Sequence, residues 1–175
     1  MLNPSKNVKA LLGTLSAILC LECATQITPG EYFIYNHTPS IPTGIYLELP
    51  KDRLETGDIV GFDPPEKIHS LAIEKGWIPE NATMMKEIGA TEGQSYERTD
   101  NNAFYANGSY IGQVIEQDSA GDKMPVIPQG KHIVPKGHIL LISRNPYAFD
   151  GRYFGTIPKE SIRFRAVRIF PFWTE

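Results

Sequence analysis

A lone serine, Ser40, stands in the stretch NHTPSIPTGIY, Asn36 to Tyr46, between Pro39 and Pro42 and ahead of Gly44. A serine hydroxyl is a weak nucleophile at neutral pH. It needs a base within hydrogen-bond reach and donors aimed at the oxyanion that develops on attack. Four histidines could serve: His37, His69, His132 and His138. They are scattered, and none sits in a motif that implies a triad. The other base is lysine, which accepts a proton only when neutral; burial among apolar groups lowers its pKa and makes that form accessible. Lys86 lies in TMMKEIGA, where strand alternation puts it on one face with Met84 and Ile88. That setting implies either a lowered pKa or a salt bridge. From the spacing alone, an edge lysine with its amine in water is the competing reading. No H-E-x-x-H or comparable ligand spacing occurs, so neither a metal nor a cofactor is implied.

These residues need a scaffold to position them. The chain has 175 residues, a net charge of -3 and 41% hydrophobic residues, enough for one domain with a core. The near-neutral balance offers no basis for a nucleic-acid partner. Lys6 and Lys9 precede an apolar run from Ala10 to Leu21, broken by Glu22. A positive flank and a short apolar stretch read as a signal or an uncleaved anchor over residues 1–28. The positive-inside rule then puts residues 29–175 on the outer side of the cytoplasmic membrane. Cys20 and Cys23 form a C-x-x-C pair inside this run and read as small apolar anchor residues; the rest of the chain has no cysteine.

Residues 29–175 read as one mainly β domain of short antiparallel strands with one or two small helices. EYFIYN and GIYLELP are strand-like, TGDIVGFDPP is a turn, strand and proline stop, and HILLIS is a buried strand. SIRFRAVRIF alternates, with Ile162, Phe164 and Ala166 on one face and Ser161, Arg163 and Arg165 on the other. A helix starts at Pro65, carries Ile68, Leu71 and Ala72 as its apolar stripe, and ends at Gly76. Asn107-Gly108 predicts a type I′ hairpin.

Five segments in order resemble the TraF family of conjugative-transfer peptidases, which are related to signal peptidase I. NHTPSIPTGIY resembles its N-x-T-x-S-x-P-x-G-x-Y box, and TGDIVGFDPP its G-D-x-V segment. LAIEKGWIP with MMKEIGATEGQ is similar to the stretch that carries the catalytic lysine. ANGSYIG is similar to its N-G hairpin, and FDGRYFGTIP resembles its D-S-R-Y-F-G box. The resemblance implies a signal-peptidase-like fold with Ser40 as nucleophile and Lys86 as general base. It also implies that the Thr38 hydroxyl, with the Ser40 N–H, stabilises the oxyanion. Asp150 and Arg152 match the charged residues of the last box and are expected to support the lysine-bearing strand. Gly151 replaces the usual serine, Ala148 lacks a hydroxyl that relatives use near the lysine, and Glu87 is expected to be solvated on the face opposite Lys86.

The function implied is a membrane-bound serine endopeptidase that matures the pilin precursor of a conjugative transfer system, a type IV secretion machine. A general signal peptidase for secreted proteins, and a catalytically silent pilus-assembly scaffold on the same fold, are the alternatives.

Overall fold

The computed structural model describes residues 13, 14, 16, 32–78, 80 and 83–172. Most of the expected anchor, with Cys20 and Cys23, lies outside them. Among the described residues no helix is long and apolar enough to cross a membrane. The chain divides into two compact units, Met1–Phe33 and Ile34–Glu175. Of the first, Gly13, Thr14 and Ser16 are helical.

Eleven strands build the described fold: β1 (Phe33–Asn36), β2 (Gly44–Leu49), β3 (Ile59–Phe62), β4 (Met84–Thr91), β5 (Ser95–Arg98), β6 (Ala103–Ala106), β7 (Ser109–Gln113), β8 (Gly130–Ile133), β9 (His138–Ile142), β10 (Thr156–Pro158) and β11 (Ile162–Pro171). They form a seven-stranded sheet in the order β1-β2-β11-β3-β4-β9-β10 and a four-stranded sheet in the order β7-β6-β5-β8. The registered pairings are antiparallel. The small sheet is inserted in the chain between β4 and β9, which are hydrogen-bonded neighbours of the large one. This mainly β, antiparallel architecture with few helices is the class read from the alternating pattern.

The larger core draws on both sheets: Val60, Phe62, Ile88 and Ile139 to Ile142 pack with Phe104, Ala106 and Ile111. Each fully buried aliphatic or aromatic side chain contributes roughly 1.5–3 kcal/mol. A second, smaller cluster joins Ile41, from the loop between β1 and β2 that carries Ser40, to Tyr46, Met85, Phe164 and Ala166. Met84 and Ile88 belong to the first cluster and Met85 to the second, so β4 is covered on both faces. Lys86 is thereby buried in a strand interior, not exposed at an edge.

Local signals act as their chemistry predicts. Helix α1 (Glu66–Glu74) follows Pro65, and Gly76 ends it at φ 69°. The β6–β7 turn places Asn107 at φ 47° and Gly108 at φ 78°, as a type I′ turn requires. Strand β11 buries Ile162, Phe164 and Ala166 and exposes Arg163. A four-residue helix, α2 (Gly151–Phe154), is capped by the Asp150 carboxylate, which accepts from the Arg152 N–H.

Candidate active site

The loop between β1 and β2 carries Ser40 and is held at every carbonyl from Thr38 to Pro42. Asn36, buried at the end of β1, donates through Nδ2 to the carbonyls of Thr38 (2.9 Å), Ile41 (3.2 Å) and Pro42 (3.3 Å). Asn145 Nδ2 donates to the Pro39 carbonyl at 3.3 Å, and Ser143 Oγ to the Ser40 carbonyl at 2.5 Å. The Tyr46 hydroxyl donates to the Pro42 carbonyl at 2.5 Å. The prolines restrict φ, as their positions suggest, but side chains from three segments complete the loop's geometry. Ser40 is thus presented on a braced backbone.

Asn36 also orients Thr38: its Oδ1 accepts from the Thr38 hydroxyl at 2.8 Å and from the Thr38 N–H at 3.3 Å. Thr38 Oγ1 lies 3.4 Å from Ser40 Oγ. Among the described residues nothing accepts a hydrogen bond from the Ser40 N–H. The Thr38 hydroxyl, its proton held by Asn36 Oδ1, therefore stands beside the serine oxygen.

Lys86 occupies β4 opposite Val60 of β3 and is 4% exposed. Its Nζ donates to the Met85 carbonyl at 3.2 Å. Burial pulls its pKa from 10.5 down to about 8; the Asp150 carboxylate opposes that fall and the Arg152 guanidinium adds to it. Among the described residues no carboxylate pairs with the Lys86 amine, so of the two outcomes open in the sequence the salt bridge is absent there and burial favours the lowered pKa. Ser40 Oγ and Lys86 Nζ share no direct hydrogen bond, but both residues line one cleft of about 650 Å³. Thr38 and Ala148 line it too, with Trp77, Met84, Phe149 and Tyr153 as its apolar wall. The rings of Trp77 and Phe149 are 4.8 Å apart, and Phe149 stacks on Tyr153 at 5.5 Å.

Asp150 and Arg152 are fully buried behind this cleft and paired at 2.9 Å. Arg152 donates to the carbonyls of Gln113, Asn145, Pro146 and Ala148. Asp150 Oδ2 accepts from the Ser143 N–H at 2.7 Å. The pair thus anchors the turn of residues 143–148 and reaches the serine through Ser143 Oγ. Among the described residues none of its hydrogen bonds goes to β4. Its effect on Lys86 is electrostatic.

The departures from the family boxes have local explanations. A Cβ on Gly151 would meet the Leu141 carbonyl oxygen at 2.5 Å and Leu140 Cδ1 at 2.8 Å, so a serine has no room there. Ala148 supplies only a methyl group to the cleft, which leaves the Met85 carbonyl as the hydrogen-bond partner of Lys86. Glu87 does lie on the face opposite Lys86. It is not simply solvated, however: its side chain is 24% exposed and pairs with Arg144 at 3.1 Å, because the 143–147 turn folds over it.

The four histidines stand on separate elements, and none lines the cleft: His37 is in the serine loop, His69 in α1, His132 in β8 and His138 at the start of β9. The sequence reading assigned no role to Ser143 or Asn145, and none to Asn36 or Tyr46 beyond their place in the box. The first and last residues of the box turn out to be the serine loop's own clamps. No short-range signal marks Ser143 or Asn145, which lie 103 and 106 positions from the carbonyls they hold.

Residues 6–173 match the family described as Signal peptidase, peptidase S26. The chain belongs to the S26 signal peptidase family. Relatives of this S26 chain include a conjugal transfer protein TraF of Agrobacterium tumefaciens (strain 15955), 26% identical over 172 residues, covering 94% of this chain and 97% of that one. A plasmid transfer protein TraF of Escherichia coli is 31% identical over 137 residues, covering 73% and 76% respectively. A crystal structure of a signal peptidase I from Enterococcus faecalis aligns with a TM-score of 0.38 at 17% identity, over 65% of this chain and 96% of that chain.

Proposed function

We propose that this S26 chain is a serine–lysine endopeptidase that processes a precursor peptide, with Ser40 as nucleophile and Lys86 as general base. One observation carries the reading: Ser40 and a buried Lys86, its pKa drawn down to about 8, open onto the same cleft. A neutral lysine takes the Ser40 proton as Oγ attacks the scissile carbonyl. The Thr38 hydroxyl and the Ser40 N–H receive the oxyanion, the former by turning away from Asn36 Oδ1. Collapse of the intermediate expels the amine, which takes the proton from Lys86. Water, deprotonated by the same lysine, then releases the acyl group and restores Ser40.

The names of the relatives, conjugal and plasmid transfer proteins, support a substrate in conjugation. We assign that substrate to the pilin precursor of a type IV secretion system, a leader-bearing membrane peptide. It would be met on the periplasmic side by a catalytic domain tethered to the cytoplasmic membrane through residues 1–28. The test is precursor processing in cells, read by mass spectrometry, with wild type, Ser40→Ala and Lys86→Ala. Trimming by wild type alone is the expected result. Identical products from all three would overturn the assignment. A serine-reactive acylating probe separates the scaffold alternative, since a silent scaffold leaves Ser40 unlabelled. Processing of ordinary secreted precursors at rates equal to the pilin would favour a general signal peptidase.

A further inference from the structure

Two depressions meet at Ser40. The first is the Lys86 cleft. The second, of about 970 Å³, is bounded by Pro42, Thr43, Glu87, Arg144, Pro146 and Arg168. Pro39, Ser40, Asn145 and Tyr147 line both, so the serine loop and the turn beside it form a ridge between them. Glu87 follows Lys86 in β4 and points to the opposite face of the sheet. The second depression therefore lies on the face away from the lysine. A peptide whose scissile carbonyl reaches Ser40 has room on both sides of the ridge.

The second depression carries two guanidinium groups and one carboxylate. Arg144 is committed to Glu87 at 3.1 Å. Arg168 is exposed, and its side chain makes no ion pair or hydrogen bond among the described residues, although its charge is felt by the Tyr46 hydroxyl. Its position is set by backbone pairing. It faces Tyr46 in the β2–β11 register, immediately before that register shifts. Its stem runs over Gly44, where an added Cβ would lie 3.1 Å from Arg168 Cδ and 2.3 Å from the Phe170 carbonyl oxygen. Only a glycine at that point lets the arginine stem lie down beside the serine loop. A free, forked donor beside a nucleophile is matched by a carboxylate, which a guanidinium binds through two parallel hydrogen bonds.

We propose that this depression is a specificity subsite that takes an acidic side chain on one flank of the scissile bond. Arg168 is its pairing residue, and Arg144 shares the charge with Glu87. The proposal rests on the serine–lysine reading for the position of the scissile bond. Arg168 acts on binding and takes no part in proton transfer.

The test uses the full chain in detergent and internally quenched alanine-rich peptides. Each carries one Glu, Gln or Lys at one of the positions flanking the cleaved bond. Wild type is expected to favour Glu over Lys at one position by roughly 3- to 10-fold in kcat/KM, mainly through KM. The preference should shrink as salt rises and invert in Arg168→Glu. Arg163→Glu, on the same strand but paired with Asp63 outside the depression, should leave the ratio unchanged. A Glu-to-Lys ratio that is equal in wild type and Arg168→Glu at every position would overturn the subsite. Binding of the same peptides to Ser40→Ala, read by fluorescence anisotropy, gives the preference without turnover. If wild type cleaves no peptide, the peptidase reading falls, while the binding ratio still decides the subsite.

Discussion

Two buried cations, one lining the cleft and one packed away from it, are treated in opposite ways. Arg152 is 0% exposed and spends six side-chain hydrogen bonds, two on Asp150 and four on backbone carbonyls. Lys86 is 4% exposed, and among the described residues its side chain makes one hydrogen bond, to the Met85 carbonyl. A guanidinium stays protonated under any condition a folded protein meets, so its burial must be compensated in full. An ammonium can escape the desolvation cost by losing its proton. The comparison teaches that incomplete satisfaction is what makes a buried cation chemically available. The saturated one holds the turn of residues 143–148, and the unsaturated one is left able to act as a base.

The largest expected effect comes from making the second cation resemble the first. Lys86→Arg keeps the charge but cannot deprotonate, and precursor cleavage should fall on the order of a thousandfold or more. Cleavage at near wild-type rate would break the assignment of Lys86 as base. Next, Arg152→Met leaves Asp150 buried and unpaired. Urea unfolding should show a loss of about 3–5 kcal/mol, and a variant as stable as wild type would mean the pair is dispensable.

The pH dependence sharpens the contrast. With Lys86 active only when neutral, kcat/KM should rise with pH through about 8 and then level off. A flat profile from pH 6 to pH 10 would count against it. The same lowered pKa has a stability sign. Between about 8 and 10.5 the unfolded chain holds a proton that the folded chain does not, so stability rises with pH across that window. Below it, burial of the lysine is a cost. Lys86→Met should therefore be more stable than wild type at pH 7, by on the order of 1–3 kcal/mol. The gap should close toward pH 10.5, as calorimetry at several pH values would show. The smallest effect is at the joint between the two regions. Ser143→Ala keeps its N–H bond to Asp150 but frees the Ser40 carbonyl. A loss of about tenfold or less in kcat is expected, given about 1 kcal/mol for one hydrogen bond, with little change in the pH profile.

Much of this was legible in the residues. The alternation in SIRFRAVRIF, the Asn107-Gly108 turn and the Pro65-to-Gly76 helix depend on contacts within a few residues. Such contacts leave a period or a turn pair in the chain. The boxes around Ser40 and Lys86 named the candidate site. Others were not legible. Glu87 reads as a solvent-facing alternation partner until the 143–147 turn closes over it and supplies Arg144. Asp150 and Arg152 read as props for β4, yet among the described residues most of their bonds run to that same turn and none to β4.

By itself, then, the sequence determined the strand-rich class, the local turns and the residue types able to act on a peptide bond. All of these come from short-range sterics, hydrophobic period and side-chain chemistry. Only the tertiary structure decided that Lys86 is buried in a strand covered on both faces and that Ser143 and Asn145 brace a loop more than a hundred positions away. The reason is physical. Desolvation and carbonyl satisfaction depend on which atoms surround a group in space, and those atoms come from strands that are neighbours only after the sheet has assembled.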